Sequence, residues 1–354
     1  MAGFIPAIRC GGLLAGSRAD IAIKYHALTL RAAGADLNPR VGEIAMTQVA
    51  VVGAGLIGRA WSIVFARAGF DVALWDPFPQ QVEAALTFIA ERLPELEEAG
   101  LLHEPPALVA RRVHPAAALA DAVAAAEHVQ ENGPERVDAK RALFAELDRL
   151  ATPDAVLASS TSGIPASAFT ETLPGRARCL VAHPVNPPYL VPLVELCPAP
   201  WTDPAVVSRT RALLTNAGQV PATVNKEMDG FALNRLQSAL LAEAFRLLAD
   251  DVISPTDLDA LVKHGLGLRW SFMGPLETID LNAPNGLADY CERYGPLIWQ
   301  IQQQATPLKW DPPLVDKLHA ARRAELPANM QNVRQEWRDR RLMALLAHKA
   351  TQPE

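Results

Sequence analysis

Apolar positions along the chain switch repeatedly between two periods. The runs Val49–Val52, Val72–Trp75, Ala155–Ala158 and Cys179–Ala182 are short and continuous, the form expected of strands buried on both faces. Leu193–Leu196 is a neighbouring run of the same kind, interrupted by Glu195. Between the runs the apolar residues return at helical spacing. This holds in the stretch opening at Leu56, in Leu86–Leu96, in Ala116–Glu127 and in Asp138–Leu150, where Ala142, Leu143, Leu147 and Leu150 mark a face. Strand and helix in alternation predict a right-handed, mostly parallel, doubly wound sheet with a crevice at its strand C-termini.

From Asp229 the texture changes. Gly230–Asp250 reads as one long helix, and little after it looks like strand. Ser254 as N-cap, Pro255 at the first position and Asp257 in the first turn start another helix, which Gly265 and Gly267 are expected to end. Pro327–Lys349 is charged and helical, with Trp337, Leu342, Leu345 and Leu346 as an apolar stripe for the body or a second subunit. The pattern predicts an α/β protein, a Rossmann-type doubly wound sheet followed by an all-helical C-terminal domain. The expected division is 1–46 as an extension, 47–225 as the sheet domain and 226–354 as the helical substrate and dimerisation domain.

At 354 residues, half of them hydrophobic, the chain is long enough to bury a large core in two domains. A formal charge of −6 does not suggest the basic face of a nucleic-acid or anionic-membrane partner, and no apolar run is long enough to span a bilayer. A small-molecule partner is therefore expected. The four cysteines, at 10, 179, 197 and 291, lack C-x-x-C spacing, which suggests neither a zinc site nor a disulfide framework and fits a cytoplasmic protein. Within residues 1–46, glycines and Pro39 break any sustained period, and Arg9 interrupts the short apolar stretch a signal peptide would need. Arg9, Arg18, Arg31 and Arg40 suit a transit peptide, but Asp20, Asp36 and Glu43 oppose it. Met46 is the expected functional start, and the segment before it is expected to be disordered or mis-assigned.

Gly53, Gly55 and Gly58 fit G-x-G-x-x-G between the first strand and the first helix. The first glycine permits the tight turn, the second lets backbone approach a pyrophosphate, and the third allows close helix–strand packing. At the opening of that helix, Leu56 and Ile57 present unpaired backbone N–H groups and a positive dipole end to an anionic dinucleotide. Asp76 ends the second strand 18 residues past Gly58, placed to bond both ribose hydroxyls and to repel a 2′-phosphate. NAD is the expected cofactor, and a buried structural turn is the bland alternative.

The second chemical segment is Ala182-His183-Pro184-Val185-Asn186-Pro187-Pro188, with Glu195 twelve residues past His183. A histidine at a strand C-terminus faces the crevice, and imidazole can take a hydroxyl proton as hydride leaves the same carbon. Glu195 sits among apolar residues, where a carboxylate needs a partner, and an imidazole N–H suits it. Taken alone, His183 is a structural turn residue, and Ser159-Ser160-Thr161-Ser162-Gly163 is a helix cap.

Together these residues resemble the 3-hydroxyacyl-CoA dehydrogenase family over about Val49 to Tyr294. The resemblance rests on Thr161-Ser162, on His183-Pro184-Val185-Asn186-Pro187 with Glu195, and on Gly230-Phe231-Ala232-Leu233-Asn234-Arg235. It implies an NAD-dependent dehydrogenase and a homodimer through the helical domain. It further implies His183 as acid/base, Glu195 as its partner, Ser162 and Asn234 as donors to the reacting oxygen, and Asn186 as a substrate-side residue. Glu135 and Lys140 would lie near the nicotinamide ribose and carboxamide. Their alternative reading is a solvated helix start.

Members of that family act on CoA thioesters or on free hydroxy acids. The segment Glu91-Arg92-Leu93-Pro94-Glu95-Leu96-Glu97-Glu98 carries four carboxylates where acyl-CoA relatives place lysine, and these would repel nucleotide phosphates. Arg269, among small glycines, offers a two-point grip for a substrate carboxylate, against the alternative of a surface salt bridge. The blocks Gly265–Trp270, Gly274–Thr278 and Gln335–Asp339 resemble the branch acting on L-gulonate. The expected reaction is oxidation of the 3-hydroxyl of a free hydroxy acid such as L-gulonate. The runners-up are a short-chain 3-hydroxyacyl-CoA dehydrogenase and, more remotely, a non-catalytic structural protein.

Overall fold

The computed structural model describes residues 47–353, so the expectations for residues 1–46 lie outside the described residues. Eight strands form one sheet: β1 (Gln48–Val52), β2 (Asp71–Trp75), β3 (Val113–Pro115), β4 (His128–Glu131), β5 (Val156–Ser159), β6 (Cys179–Pro184), β7 (Leu193–Pro198) and β8 (Val220–Thr223). Their order is β3-β2-β1-β4-β5-β6-β7-β8, parallel throughout except at β6–β7. The order reverses between β1 and β4, which opens a crevice at the C-terminal ends of those strands.

The longer helices are α1 (Leu56–Arg67), α2 (Pro79–Glu98), α3 (Val137–Leu150), α4 (Pro204–Asn216), α5 (Leu233–Ala249), α6 (Gly286–Gln304), α7 (Pro312–Glu325) and α8 (Gln331–Lys349). The continuous apolar runs work because successive strand side chains enter different cores. Val49 and Val51 pack with Ile63, Val64 and Phe65 of α1 and Ile89 and Leu93 of α2 on one face. Ala50 and Val52 pack with Phe144 and Leu147 of α3 on the other.

Several boundaries differ from the expected ones, each for a physical reason. The alanine-rich stretch Ala116–Glu127 is helical only over Leu119–Val123. The Glu127 N–H instead bonds the Gln48 carbonyl at 2.9 Å, which feeds the chain into β4. Gly230 and Phe231 hold left-handed φ values of +72° and +53°, so α5 starts only at Leu233. Gly265 and Gly267 do not end the helix begun at Pro255. The chain passes through a π turn at Val262–Leu266 into Gly267–Trp270, and Gly267 keeps a helical φ of −64°. A Cβ there would lie 3.0 Å from the Val262 carbonyl oxygen, so glycine serves close packing rather than termination. The Ser254 cap is as expected, its hydroxyl accepting from the Asp257 N–H. In α8 the residues that reach the first core are Leu342, Met343 and Leu346, whereas Trp337 and Leu345 are exposed.

Candidate active site

The glycine-rich turn is built from two close approaches. Gly53 has φ +96°, and a Cβ on it would meet the Asn132 carbonyl oxygen at 2.9 Å. On Gly58 a Cβ would fall 1.7 Å from the Gly53 carbonyl oxygen, so the first turn of α1 rests directly on the preceding loop. Nothing lies within 4 Å of a Cβ on Gly55, and Leu56 beside it is exposed. That open backbone at the N-terminus of a 12-residue helix fits a dinucleotide pyrophosphate. Asp76 accepts from the Ala54 N–H at 2.8 Å and from the Phe78 N–H at 2.9 Å, which fixes the carboxylate beside the turn and leaves lone pairs for ribose hydroxyls.

At the ends of β4 and β5, Glu131 is fully buried and accepts from both sides. Lys140 Nζ lies 3.1 and 3.0 Å from its two oxygens, Ser159 Oγ donates at 2.6 Å and the Gly133 N–H at 2.6 Å. Lys140 is therefore a buried, paired ammonium rather than part of a solvated helix start. Glu135 is more exposed, yet its Oε1 accepts from Thr161 Oγ1, the Ser162 N–H and the Gly163 N–H.

His183 and Glu195 face each other in register across the antiparallel pair β6–β7. His183 Nδ1 lies 2.9 Å from Glu195 Oε2, and the Phe231 ring stands 5.4 Å from the imidazole. Glu195 Oε1 accepts from the Ala232 and Leu233 N–H groups at 2.9 and 2.8 Å, at the start of α5. Burial alone raises the Glu195 carboxyl, but the hydrogen bonds from His183, Leu233 and Ala232 outweigh it and hold the group below the usual carboxylate range. An ionised carboxylate only accepts, so the Nδ1 hydrogen is the one given to Glu195, and Nε2 is the ring nitrogen outside that bond. Asn234, in the first turn of α5, donates from Nδ2 to the Ser162 carbonyl at 2.6 Å. This bond places Ser162 and Asn234 together, and Ser162 is exposed.

Two of the expected residues take no part in these bonds. Asn186 is exposed, and Arg269 lies on the short helix Gly267–Trp270, half-buried with no acidic partner among the described residues. In α2, Arg92 pairs with Glu95, while Glu91, Glu97 and Glu98 are exposed. Sequence reasoning missed Glu131 and the two backbone donors at Ala232 and Leu233, and it named Thr161 without its bond to Glu135. Glu131 ends a strand that reads His-Val-Gln-Glu, so no apolar run pointed to it, and backbone donors leave no signal.

Residues 48–228 match the family model for the 3-hydroxyacyl-CoA dehydrogenase NAD binding domain, and residues 230–326 match that for the 3-hydroxyacyl-CoA dehydrogenase C-terminal domain. The chain is 44% identical to a lambda-crystallin homolog of Bos taurus, over 88% of this chain and 99% of that one. It is 39% identical to an L-carnitine dehydrogenase of Streptomyces griseus, over 70% of this chain and 74% of the relative. Among solved structures, 5-formyl-3-hydroxy-2-methylpyridine 4-carboxylic acid 5-dehydrogenase, an NAD+ dependent dismutase, superposes with a TM-score of 0.76 at 27% identity. That likeness covers 87% of this chain and all of the other.

Proposed function

The chain belongs to the 3-hydroxyacyl-CoA dehydrogenase family, and from that premise we propose that it oxidises the 3-hydroxyl of a free hydroxy acid, L-gulonate, to 3-dehydro-L-gulonate. Membership makes it an NAD-dependent oxidoreductase acting on a CH–OH group. The observation that carries the site assignment is the His183–Glu195 pair, with Ser162 and Asn234 joined beside it.

In this reading His183 Nε2 takes the hydroxyl proton, and the Glu195 carboxylate steadies the imidazolium that results. The Ser162 hydroxyl and the second amide hydrogen of Asn234 donate to the oxygen as charge develops on it. Gly53, Gly55, Gly58, the Leu56 and Ile57 N–H groups, Asp76, Glu135 and Lys140 would hold NAD, which when bound supplies the hydride acceptor. Asn186 is assigned to the substrate side of the His183 loop.

Support for a free acid comes from charge. Exposed Glu91, Glu97 and Glu98 oppose a nucleotide diphosphate, and Arg269, with no acidic partner among the described residues, holds a guanidinium suited to a carboxylate. The L-carnitine dehydrogenase relative is named for a free hydroxy acid. We further assign a cytoplasmic homodimer joined through the helical region. Cys179, Cys197 and Cys291 are free, which suits a reducing compartment, and no described helix is long and apolar enough to cross a membrane.

The test is NADH formation with L-gulonate, L-carnitine and L-3-hydroxybutyryl-CoA side by side. A kcat/KM advantage of about tenfold or more for L-gulonate is expected; an advantage for the thioester overturns the free-acid reading and returns the enzyme to acyl-CoA chemistry. With the preferred free acid, Arg269→Lys is expected to raise KM about tenfold with a smaller change in kcat, and an unchanged KM removes Arg269 from the substrate site.

A further inference from the structure

Glu135 makes more bonds to the protein than a cofactor contact requires. Its Oε1 accepts from Thr161 Oγ1 at 2.6 Å, from the Ser162 N–H at 2.9 Å and from the Gly163 N–H at 3.2 Å. Its Oε2 has no hydrogen bond among the described residues; Lys140 Nζ lies 3.9 Å away, itself fixed on Glu131. The Glu135 side chain is 48% exposed. It follows β4, on the same side of the sheet as the Gly53 turn, because the Gly53 Cβ position abuts the Asn132 carbonyl. The Ser162 carbonyl is held from the other direction by Asn234. The loop after β5 is thus anchored at both ends of one residue, once to the crevice between β1 and β4 and once to α5.

We propose that Glu135 is a positioning residue that couples occupancy of the dinucleotide crevice to the placement of Ser162, so that cofactor and hydroxy acid each favour the binding of the other. The proposal rests on the reading of that crevice as the NAD site and of Ser162 as a donor to the reacting oxygen. A half-exposed glutamate held through one oxygen alone keeps more torsional freedom than one held through both. A hydroxyl donor at the free Oε2 removes that freedom, and the same torsions carry Oε1, so its three bonds to Thr161, Ser162 and Gly163 tighten together. Two sites that share one ordering event bind with positive cooperativity and by reciprocal amounts.

Hydrogen exchange of the full chain reads this directly, because the Ser162 and Gly163 amides are the donors. Exchange in residues 160–166 is followed with and without NADH, and NADH binding is followed separately by its fluorescence. In the parent chain NADH is expected to slow exchange there by about fivefold or more, the low end of ordinary site-to-site coupling. Glu135→Gln presents an amide in place of the second oxygen and is expected to bind NADH without that slowing and to raise KM for the hydroxy acid. Thr161→Val deletes the bond to Glu135 Oε1 together with those that Thr161 Oγ1 accepts from the Gly163 and Ile164 N–H groups, and it leaves Oε2 untouched. It is expected to lose most of the protection and, by the same linkage, to weaken NADH binding by a comparable factor of about fivefold. Bound NADH with unchanged exchange in the parent chain, or full protection in Glu135→Gln, overturns the coupling. Absence of any NADH binding overturns the cofactor reading instead, and the fluorescence arm tells the two failures apart.

Discussion

At the scale of single residues, the site is a division of labour set by hydrogen-bond donors. Glu195 receives three donors, and the carboxylate they keep ionised decides which imidazole nitrogen of His183 is free. His183→Ala is expected to lower kcat by about a thousandfold with NADH affinity unchanged within about twofold, measured by steady-state kinetics and NADH fluorescence. Appreciable remaining kcat would mean that another group is the base. His183 and Glu195 were readable in the sequence because the residue types and a strand C-terminus already specify proton chemistry. The tie from Glu195 to Ala232 and Leu233 was not, because any residue supplies a backbone N–H and only the fold aims it.

At the scale of elements, the first turn of α1 and the interior of β4 make separate predictions. Gly58→Ala puts a methyl group into the Gly53 carbonyl, so α1 must move off the turn. NADH affinity is expected to fall at least about tenfold with a loss of several degrees in Tm, and unchanged binding would mean the turn does not hold the dinucleotide. In β4, His128 is buried with Nε2 on Gln130 Oε1 at 3.0 Å and Nδ1 without a partner among the described residues. Burial pushes its pKa down from 6.5 to about 4. The unfolded chain therefore binds this proton first as pH falls. Stability is complete above about pH 6.5 and is lost between there and pH 4, by about 2 kcal/mol at pH 5. Denaturant unfolding at pH 7.5 and pH 5.0 is expected to show that loss in the parent chain and not in His128→Gln; equal losses would assign the acid sensitivity elsewhere. The strands were legible where apolar residues ran continuously. Three-residue β3, β4 with its polar sequence His-Val-Gln-Glu, β8 with its Pro221, and the late start of α5 were not, since strand pairing and left-handed backbone at Phe231 are tertiary choices.

At the scale of the molecule, the helical region leaves much apolar surface uncovered. Leu236 of α5 is 68% exposed and Trp299 of α6 62%, with Phe272, Leu276 and Leu281 exposed as well. So many large apolar side chains on one chain mark an interface, and a second copy is the occupant assigned above. Light scattering is expected to give twice the 38.2 kDa chain mass, and Leu236→Glu with Trp299→Glu to shift it toward the single-chain mass. A parent chain that runs as a monomer would refute the assignment. By itself the sequence determined the doubly wound sheet, the glycine turn with Asp76, the His183–Glu195 pairing and the helical character of the C-terminal region, because periodicity and residue chemistry are local properties. Only the tertiary structure decided that Glu131 and Lys140 share a buried pair, that Glu135 holds the Ser162 loop, and that α5 reaches both Glu195 and Ser162. Those contacts join residues up to 72 positions apart, and burial and hydrogen-bond direction at such separations exist only once the chain has folded.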